Sequence, residues 1–192
     1  MKESLSSKAE LRAAYLEKRR ATDKAVKECA EAVIFEKIIS LPSFASAKSI
    51  FIYYPIKGEI SVLPLLDAAL KSDRSVAFPR CNKADRTMTF CSVSSLSDLE
   101  GGAYGIFEPK QSCPEITQDE DTLCIVPALL YAKDGHRLGF GAGYYDRFLA
   151  DFKGVSIGVA LDSFVLESLP HESHDKRLDM IITERSVYLN EK

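Results

Sequence analysis

The stretch that decides the fold runs from Thr122 to Phe152, TLCIVPALLYAKDGHRLGFGAGYYDRFLADF. It opens as a strand candidate, TLCIVPALL (Thr122 to Leu130), short and apolar. It then passes three alternating glycines, Gly139, Gly141 and Gly143. It closes with YYDRFLADF (Tyr144 to Phe152), whose amphipathic pattern predicts a short helix. A buried strand, a glycine loop and a helix in succession suit an α/β protein with a largely parallel sheet. In such sheets ligands gather at the carboxyl ends of the strands.

The rest of the chain agrees. SIFIYYP (Ser49 to Pro55), SVAFP (Ser75 to Pro79), TMTFCSV (Thr87 to Val93), VSIGVAL (Val155 to Leu161) and LDMIIT (Leu178 to Thr183) are further strand candidates. SVLPLLDAAL (Ser61 to Leu70) predicts a helix capped by Ser61, with Pro64 in the first turn, where no amide donor is required. Upstream, Val26, Ala30, Ile34 and Ile38 recur every four residues beside Val33 and Leu41, a helical stripe that Pro42 closes. An earlier helix is expected over Ser7 to Arg20, capped by Ser6 or Ser7. Leu96 to Glu120 reads as a long surface excursion, and loops of that length are often functional. With 192 residues and no repeat or linker, residues 1–192 are expected to form one domain. Its N-terminal helices would span about 7–41 and its sheet region about 49–189.

Composition narrows the function. Hydrophobic residues make up 46% and charged residues 28%, as in ordinary globular proteins. The net charge of −3 gives no overall cationic field to recruit nucleic acid or an anionic membrane. The locally basic run EKRRATDKAVK (Glu17 to Lys27) reads as a solvated helix face. The start MKESLSSKAEL lacks the apolar core and cleavage site of a signal peptide, and no apolar run approaches bilayer length. Five widely spaced cysteines without a CxxC pair point to free thiols in a reducing cytoplasm. His171 and His174 stand three apart, but no further zinc ligands lie at compatible spacing.

The glycines are spaced Gly139-x-Gly141-x-Gly143, which is neither the GxGxxG dinucleotide fingerprint nor a Walker A loop. Their setting still favours an anion, because glycines let backbone amides converge on one. Asp146 falls in the first turn of the following helix, where the dipole favours a carboxylate that can also reach a metal beside phosphate. Arg137 adds a cation at the loop entrance. The plain alternative is a tight turn with Tyr144 and Tyr145 packed in the core. Lys8 and Arg12, four apart, share a helix face, where an anion between them would relieve their repulsion; two solvated side chains are the alternative. Glu59 follows the first strand, where a carboxylate can accept hydrogen bonds from a heterocycle's N–H groups or serve only its turn. Tyr54, Tyr104, Tyr144 and Tyr145 can stack on flat rings or pack in the core.

At this point a resemblance emerges. PALLYAKDGHRLGFGAGYYDRFL (Pro127 to Leu149) resembles the signature segment of the 5-formyltetrahydrofolate cyclo-ligase family, also called methenyltetrahydrofolate synthetase. KAELR, SIFIYYPIKGEI, AFPR, YGIFEP and LPHESHDKRLDMIITE resemble further family segments in the same order, over nearly the whole chain. The resemblance implies a Rossmann-like α/β fold with helices on both faces. It also implies MgATP-driven closure of 5-formyltetrahydrofolate to 5,10-methenyltetrahydrofolate, with ADP and phosphate released. Lys8 and Arg12 would contact ATP phosphates. The nucleotide loop would run through Arg137, Leu138, Gly139, Phe140, Gly141, Ala142, Gly143, Tyr144 and Tyr145. Gly141, Gly143 and Tyr144 would also touch the folate, with Tyr54, Glu59 and Tyr104 lining its pocket. Asp146 and Asp179 would hold Mg2+, and Lys8, Arg137 and Asp146 would carry the catalysis. Two positions depart from the family: Ala142 stands where relatives often carry glycine or lysine, and Tyr104 where some carry tryptophan.

The chemistry matches these residue types. Transfer of a phosphoryl group turns a formamide oxygen into a leaving group, and needs charge neutralisation and alignment more than a nucleophile. The expected enzyme is a cytoplasmic monomer that takes a reduced formyl folate and ATP, and neither nucleic acid nor membrane. Two other readings stay open: an enzyme for sugar phosphates or acyl-CoA on a similar sheet, and a non-catalytic folate- or nucleotide-binding module.

Overall fold

The computed structural model describes residues 7–56, 58–102 and 105–190. Helix α1 (Lys8–Ala21) starts at Ser7, whose hydroxyl accepts from the Glu10 amide while the Glu10 carboxylate accepts from the Ser7 amide. That reciprocal cap makes Ser7 the helix start; Ser6 lies outside the described residues. Helix α2 (Lys24–Ile39) is capped by Asp23 and buries Ala30, Ile34 and Ile38. Val26 and Val33, expected in the same stripe, are exposed. A step of four residues drifts about 40° around a helix, so a strict four-residue repeat leaves the buried face by its first member. A short α3 (Pro42–Ser46) follows, with Pro42 opening it rather than only closing α2.

Strand β1 (Ser49–Phe51) is the centre of the main sheet. Helix α4 (Pro64–Leu70) comes next and begins three residues later than expected, with Leu63 as N-cap and Pro64 at its first position. Ser61 does not cap it; its amide donates to Glu31 Oε1 at 2.6 Å, which holds the preceding turn against α2. Strands β2 (Ser75–Asn82) and β3 (Thr87–Ser92) form an antiparallel pair. The excursion from Leu96 to Glu120 contains β4 (Leu99–Gly101) and β5 (Phe107–Pro109), paired as a hairpin, and β6 (Glu115–Ile116).

TLCIVPALL divides at its proline. Strand β7 (Thr122–Val126) stays fully buried in the main sheet. Pro127 has no N–H for the ladder, and β8 (Leu130–Ala132) leaves to pair with β9 (Arg137–Leu138) in a separate small sheet. Helix α5 (Tyr144–Ala150), strand β10 (Val155–Val159), β11 (Val165–Leu166), β12 (Met180–Ile182) and β13 (Val187–Leu189) complete the described chain.

The main sheet runs β13-β12-β10-β7-β1-β2-β3-β6. Its five inner strands, β12 to β2, are parallel, and antiparallel strands close both ends. Helices α2, α4 and α5 pack against β12, β2 and β3, giving a largely parallel α/β sheet flanked by helices. From β1 the chain turns first to β2 on one side and later to β7 on the other, so the strand order reverses there. A crevice at the carboxyl ends of β1 and β7 is the expected consequence. The core beneath is aromatic: Phe51 stacks on Phe90 at 4.4 Å between ring centres, and Phe148 of α5 lies 4.8 Å from Phe90. Burying each such side chain is worth about 1.5–3 kcal/mol. No described helix is long and apolar enough to cross a membrane.

Candidate functional site

Two regions gather the residues expected to carry function. The first is a narrow pocket just beyond the carboxyl ends of β1, β7 and β10, lined by Arg19, Tyr53, Glu59, Ala128, Ala160 and Phe164 among others. Glu59 sits on the turn after β1 and is only 6% exposed. Its Oε2 accepts from the Ile56 amide at 3.0 Å, and its Oε1 lies 3.6 Å from Arg19 Nη1. Burial pushes the Glu59 carboxyl up to about 7, against the opposing pull of that amide, Arg19 and Lys27. Tyr53 closes the turn by donating its hydroxyl to the Ile60 carbonyl. Tyr54 is half-buried and packs its ring 4.9 Å from Phe107 of β5. Tyr104 lies outside the described residues.

The second region is the glycine loop between β9 and α5. Gly141 and Gly143 take positive φ, +97° and +73°, which turns the chain sharply into α5 at little steric cost. The loop's carbonyls are held by arginines: Arg12 Nε donates to Gly139 O at 2.9 Å, and Arg147 Nη2 to Ala142 O at 2.7 Å. Among the described groups, no acceptor takes an amide N–H from Gly139 through Gly143. Those donors are the ones an anion would use. Phe140 is exposed at the tip, whereas Tyr144 is buried beneath it and Tyr145 is half-buried. Ala142, the departure from the family's glycine or lysine, supplies only its carbonyl, to Arg147.

Arg137, 4% exposed, donates Nη2 to Asp146 Oδ1 at 2.7 Å and Nη1 to the Lys176 carbonyl at 2.6 Å. The Lys176 amide completes the arrangement by donating to the same Asp146 oxygen. Lys8 lies beside this segment, its Nζ 2.7 Å from Asp175 and 3.1 Å from Glu172. Burial would lower the Lys8 amine, but hydrogen bonds to Asp175 and then Glu172 outweigh it and hold it above its ordinary value. Lys8 and Arg12 share a helix face, from which Arg12 reaches the glycine loop and Lys8 the 172–175 segment. His171 stacks on His136 at 3.8 Å, and His174 flanks Glu172 and Asp175.

Asp179 differs from expectation. The resemblance pairs it with Asp146 on Mg2+, yet it immediately precedes β12 and so sits at the amino end of that parallel strand. The strand starts at Met180, two residues later than expected, which leaves Asp179 just outside it. Asp179 Oδ2 accepts from the Ser156 amide and hydroxyl at 2.8 and 2.7 Å. It remains close in sequence to the Lys176 amide that binds Asp146, three residues away. Asp146 has the donor chemistry for magnesium: a hard carboxylate oxygen on a side chain 29% exposed, within reach of water. Asp179 offers a second carboxylate, already committed to Ser156.

Sequence reasoning missed Arg19. It lies in the basic run read as a solvated face, yet its side chain is 9% exposed. Its Nη2 donates to the carbonyls of Ala128 and Leu129, just past β7. The available signal was spacing: at 100° per residue, Lys8, Arg12 and Arg19 fall within about 40° of one another on α1. Lys27, in the same run, donates to the Glu59 carbonyl at 3.1 Å. Both residues serve the pocket rather than the solvent.

Comparison with known proteins agrees with this geometry. The model of the 5-formyltetrahydrofolate cyclo-ligase family matches residues 4–184. The 5-formyltetrahydrofolate cyclo-ligase of Mycolicibacterium smegmatis is 30% identical over 185 residues, covering 93% of this chain and 94% of its own. The corresponding protein of Escherichia coli (strain K12) is 25% identical, covering 79% and 86%. The solved structure of Aquifex aeolicus 5,10-methenyltetrahydrofolate synthetase superposes with a TM-score of 0.83 at 34% identity, covering 95% of this chain and 92% of that one. With its sheet, glycine loop and carboxylates in the same order as the family's segments, the chain belongs to the 5-formyltetrahydrofolate cyclo-ligase family, a family of ligases.

Proposed function

We propose that this protein closes 5-formyltetrahydrofolate to 5,10-methenyltetrahydrofolate at the expense of ATP. In this reading the γ-phosphoryl group passes to the formyl oxygen and the bond to ADP breaks. The formyl carbon becomes an iminium centre bearing a phosphate leaving group. The second folate nitrogen attacks that carbon, loses its proton to water, and phosphate departs with the electrons of the C–O bond. A positioned attack of this kind gains its rate from alignment.

The observation that carries the proposal is the line of cationic and N–H donors along one side of the molecule. Arg12 holds the glycine loop, whose Gly139 to Gly143 amides have no acceptor among the described residues; Lys8, on the same helix face, meets the 172–175 segment, and the Glu59 pocket lies further along that face. The loop donors suit ATP phosphates, and Lys8 exchanges its carboxylate partners for a phosphate oxygen. Arg137 keeps Asp146 oriented through their 2.7 Å bond. Asp146 and Asp179 are the residues that would hold magnesium, which when bound supplies charge neutralisation at the transferring phosphoryl group. Glu59 accepts from the pterin's N–H groups, while Tyr54 and Tyr104 are proposed to flank its ring.

Incubation with 5-formyltetrahydrofolate and MgATP tests this, with methenyl product and ADP followed together. They should appear one for one, and neither without ATP. Product formed without ADP would overturn the phosphorylated intermediate.

A further inference from the structure

The Glu59 pocket contains a donor that the proposed reaction does not yet use. Arg19 Nη1 is buried and has no hydrogen-bond partner among the described residues, although Nη2 of the same guanidinium bonds two carbonyls. It lies 3.6 Å from Glu59 Oε1, beyond hydrogen-bonding distance. A buried N–H donor left unpaired is costly, and native proteins seldom leave one without a use. The turn is built around this side chain. Gly58 has φ +87°, and a Cβ there would stand 2.6 Å from Arg19 Cγ and 3.0 Å from Cδ. The guanidinium is steadied by the Phe164 ring at 5.9 Å, and Ala128, Val159 and Ala160 give the pocket an apolar wall. Donor and acceptor thus stand side by side in a slot whose remaining lining, apart from Thr22 and Tyr53, is apolar or glycine.

We propose that Arg19 is a specificity-determining residue of this pocket, its Nη1 donating to a carbonyl oxygen on the same ring edge whose N–H groups Glu59 accepts. The inference rests on the reading of the pocket as the folate site, and deepens it by naming the part of the ligand selected. A pterin's pyrimidine ring carries a 4-oxo acceptor next to a ring N–H, followed by the 2-amino group. That row of acceptor, donor and donor complements Arg19 and Glu59 when the ring enters edge-on. A 2,4-diamino ring presents a donor where the oxygen was, opposing the arginine. Sites that hydrogen-bond a ligand group reject analogues lacking it, because their own polar groups are left unpaired.

The test compares binding of 6-methylpterin and its 2,4-diamino counterpart by wild type, Arg19→Met, Arg19→Lys and Gly58→Ala. Wild type should prefer the 4-oxo ring by about tenfold or more. Arg19→Met should reduce that preference to about threefold or less while leaving the KM for ATP unchanged. Arg19→Lys should keep part of it, as a point donor lacking the fork. Gly58→Ala, which displaces the Arg19 stem, should mimic Arg19→Met and remains informative if the latter does not fold. A preference unchanged in folded Arg19→Met and Gly58→Ala would overturn the inference and reduce Arg19 to a prop for the turn. A wild-type enzyme that turns over 5-formyltetrahydrofolate but shows no 4-oxo preference would overturn it while sparing the folate reading. Absence of both turnover and pterin binding would remove that reading as well.

Discussion

Glu59 and Asp146 are both carboxylates beside an arginine, yet their regions hold them in opposite ways. Glu59 is walled off from water, and its arginine stops 3.6 Å short. Asp146 touches its arginine at 2.7 Å and keeps a water-accessible side. In the first region negative charge is expensive until a ligand brings donors. In the second the charge is already compensated and can face a phosphate or a cation. The pocket is suited to selecting a neutral ring, and the loop to handling formal charge.

The largest expected effect lies in the second region. Asp146→Asn should retain the fold, lose about 10²-fold or more in kcat, and require more magnesium for half-maximal rate. Normal kcat and magnesium dependence would reduce Asp146 to a helix-start charge, worth about 0.3–1 kcal/mol of stability.

Glu59→Gln sharpens the contrast from the other side. It should weaken folate binding by about 1–3 kcal/mol and leave ATP affinity alone. A pure ATP defect would place Glu59 in the wrong region. The same variant carries a pH signature. Glu59 titrates at about 7 in the folded protein against an ordinary 4.5. A carboxyl with a raised folded pKa favours the fold below the unfolded value, and that contribution is lost as pH rises through about 7. Wild type should therefore lose on the order of 3 kcal/mol from this group between about pH 4.5 and 7. Urea unfolding at pH 5 and pH 8 should show a smaller fall for Glu59→Gln. Equal falls would mean that Glu59 shares the hydrated character of Asp146.

Lys8→Ala and Arg12→Ala should each raise the KM for ATP by about tenfold without unfolding the protein, since charge-assisted bonds to phosphate are lost. Unchanged KM in both would assign the α1 face to the 172–175 segment alone. An effect of the same order, on stability rather than on KM, is expected at Gly143. With φ +73° and Arg147 Nη1 3.0 Å from an added Cβ, Gly143→Ala should destabilise the fold by about 1–2 kcal/mol in thermal melts. A melt indistinguishable from wild type would show that the loop relaxes freely.

What could be read from sequence was what is encoded locally. The helix start near Ser7, the buried strands and the glycine loop before α5 all rest on neighbours within a few positions. The misreadings involve distant partners. Nothing near Arg19 announces the carbonyls of Ala128 and Leu129 that desolvate it. Asp179 lies before its strand because Ser156, 23 residues away, supplies its bonds. Ser61 has the chemistry of a cap, but Glu31 claims its amide and the helix starts at Pro64 instead. The glycine signature survives this limit because its chemistry is carried by backbone, which needs no remote partner to be recognised.

Lys8 meets Glu172 and Asp175 across 164 and 167 positions of chain. Arg12 reaches Gly139 across 127. Closing loops of that length is entropically unfavourable, and contacts so distant in sequence form late. During synthesis α1 emerges long before the 172–175 segment and must wait for it before its lysine has a partner. The α1 end of the molecule is thus assembled only after the 172–175 segment has been made.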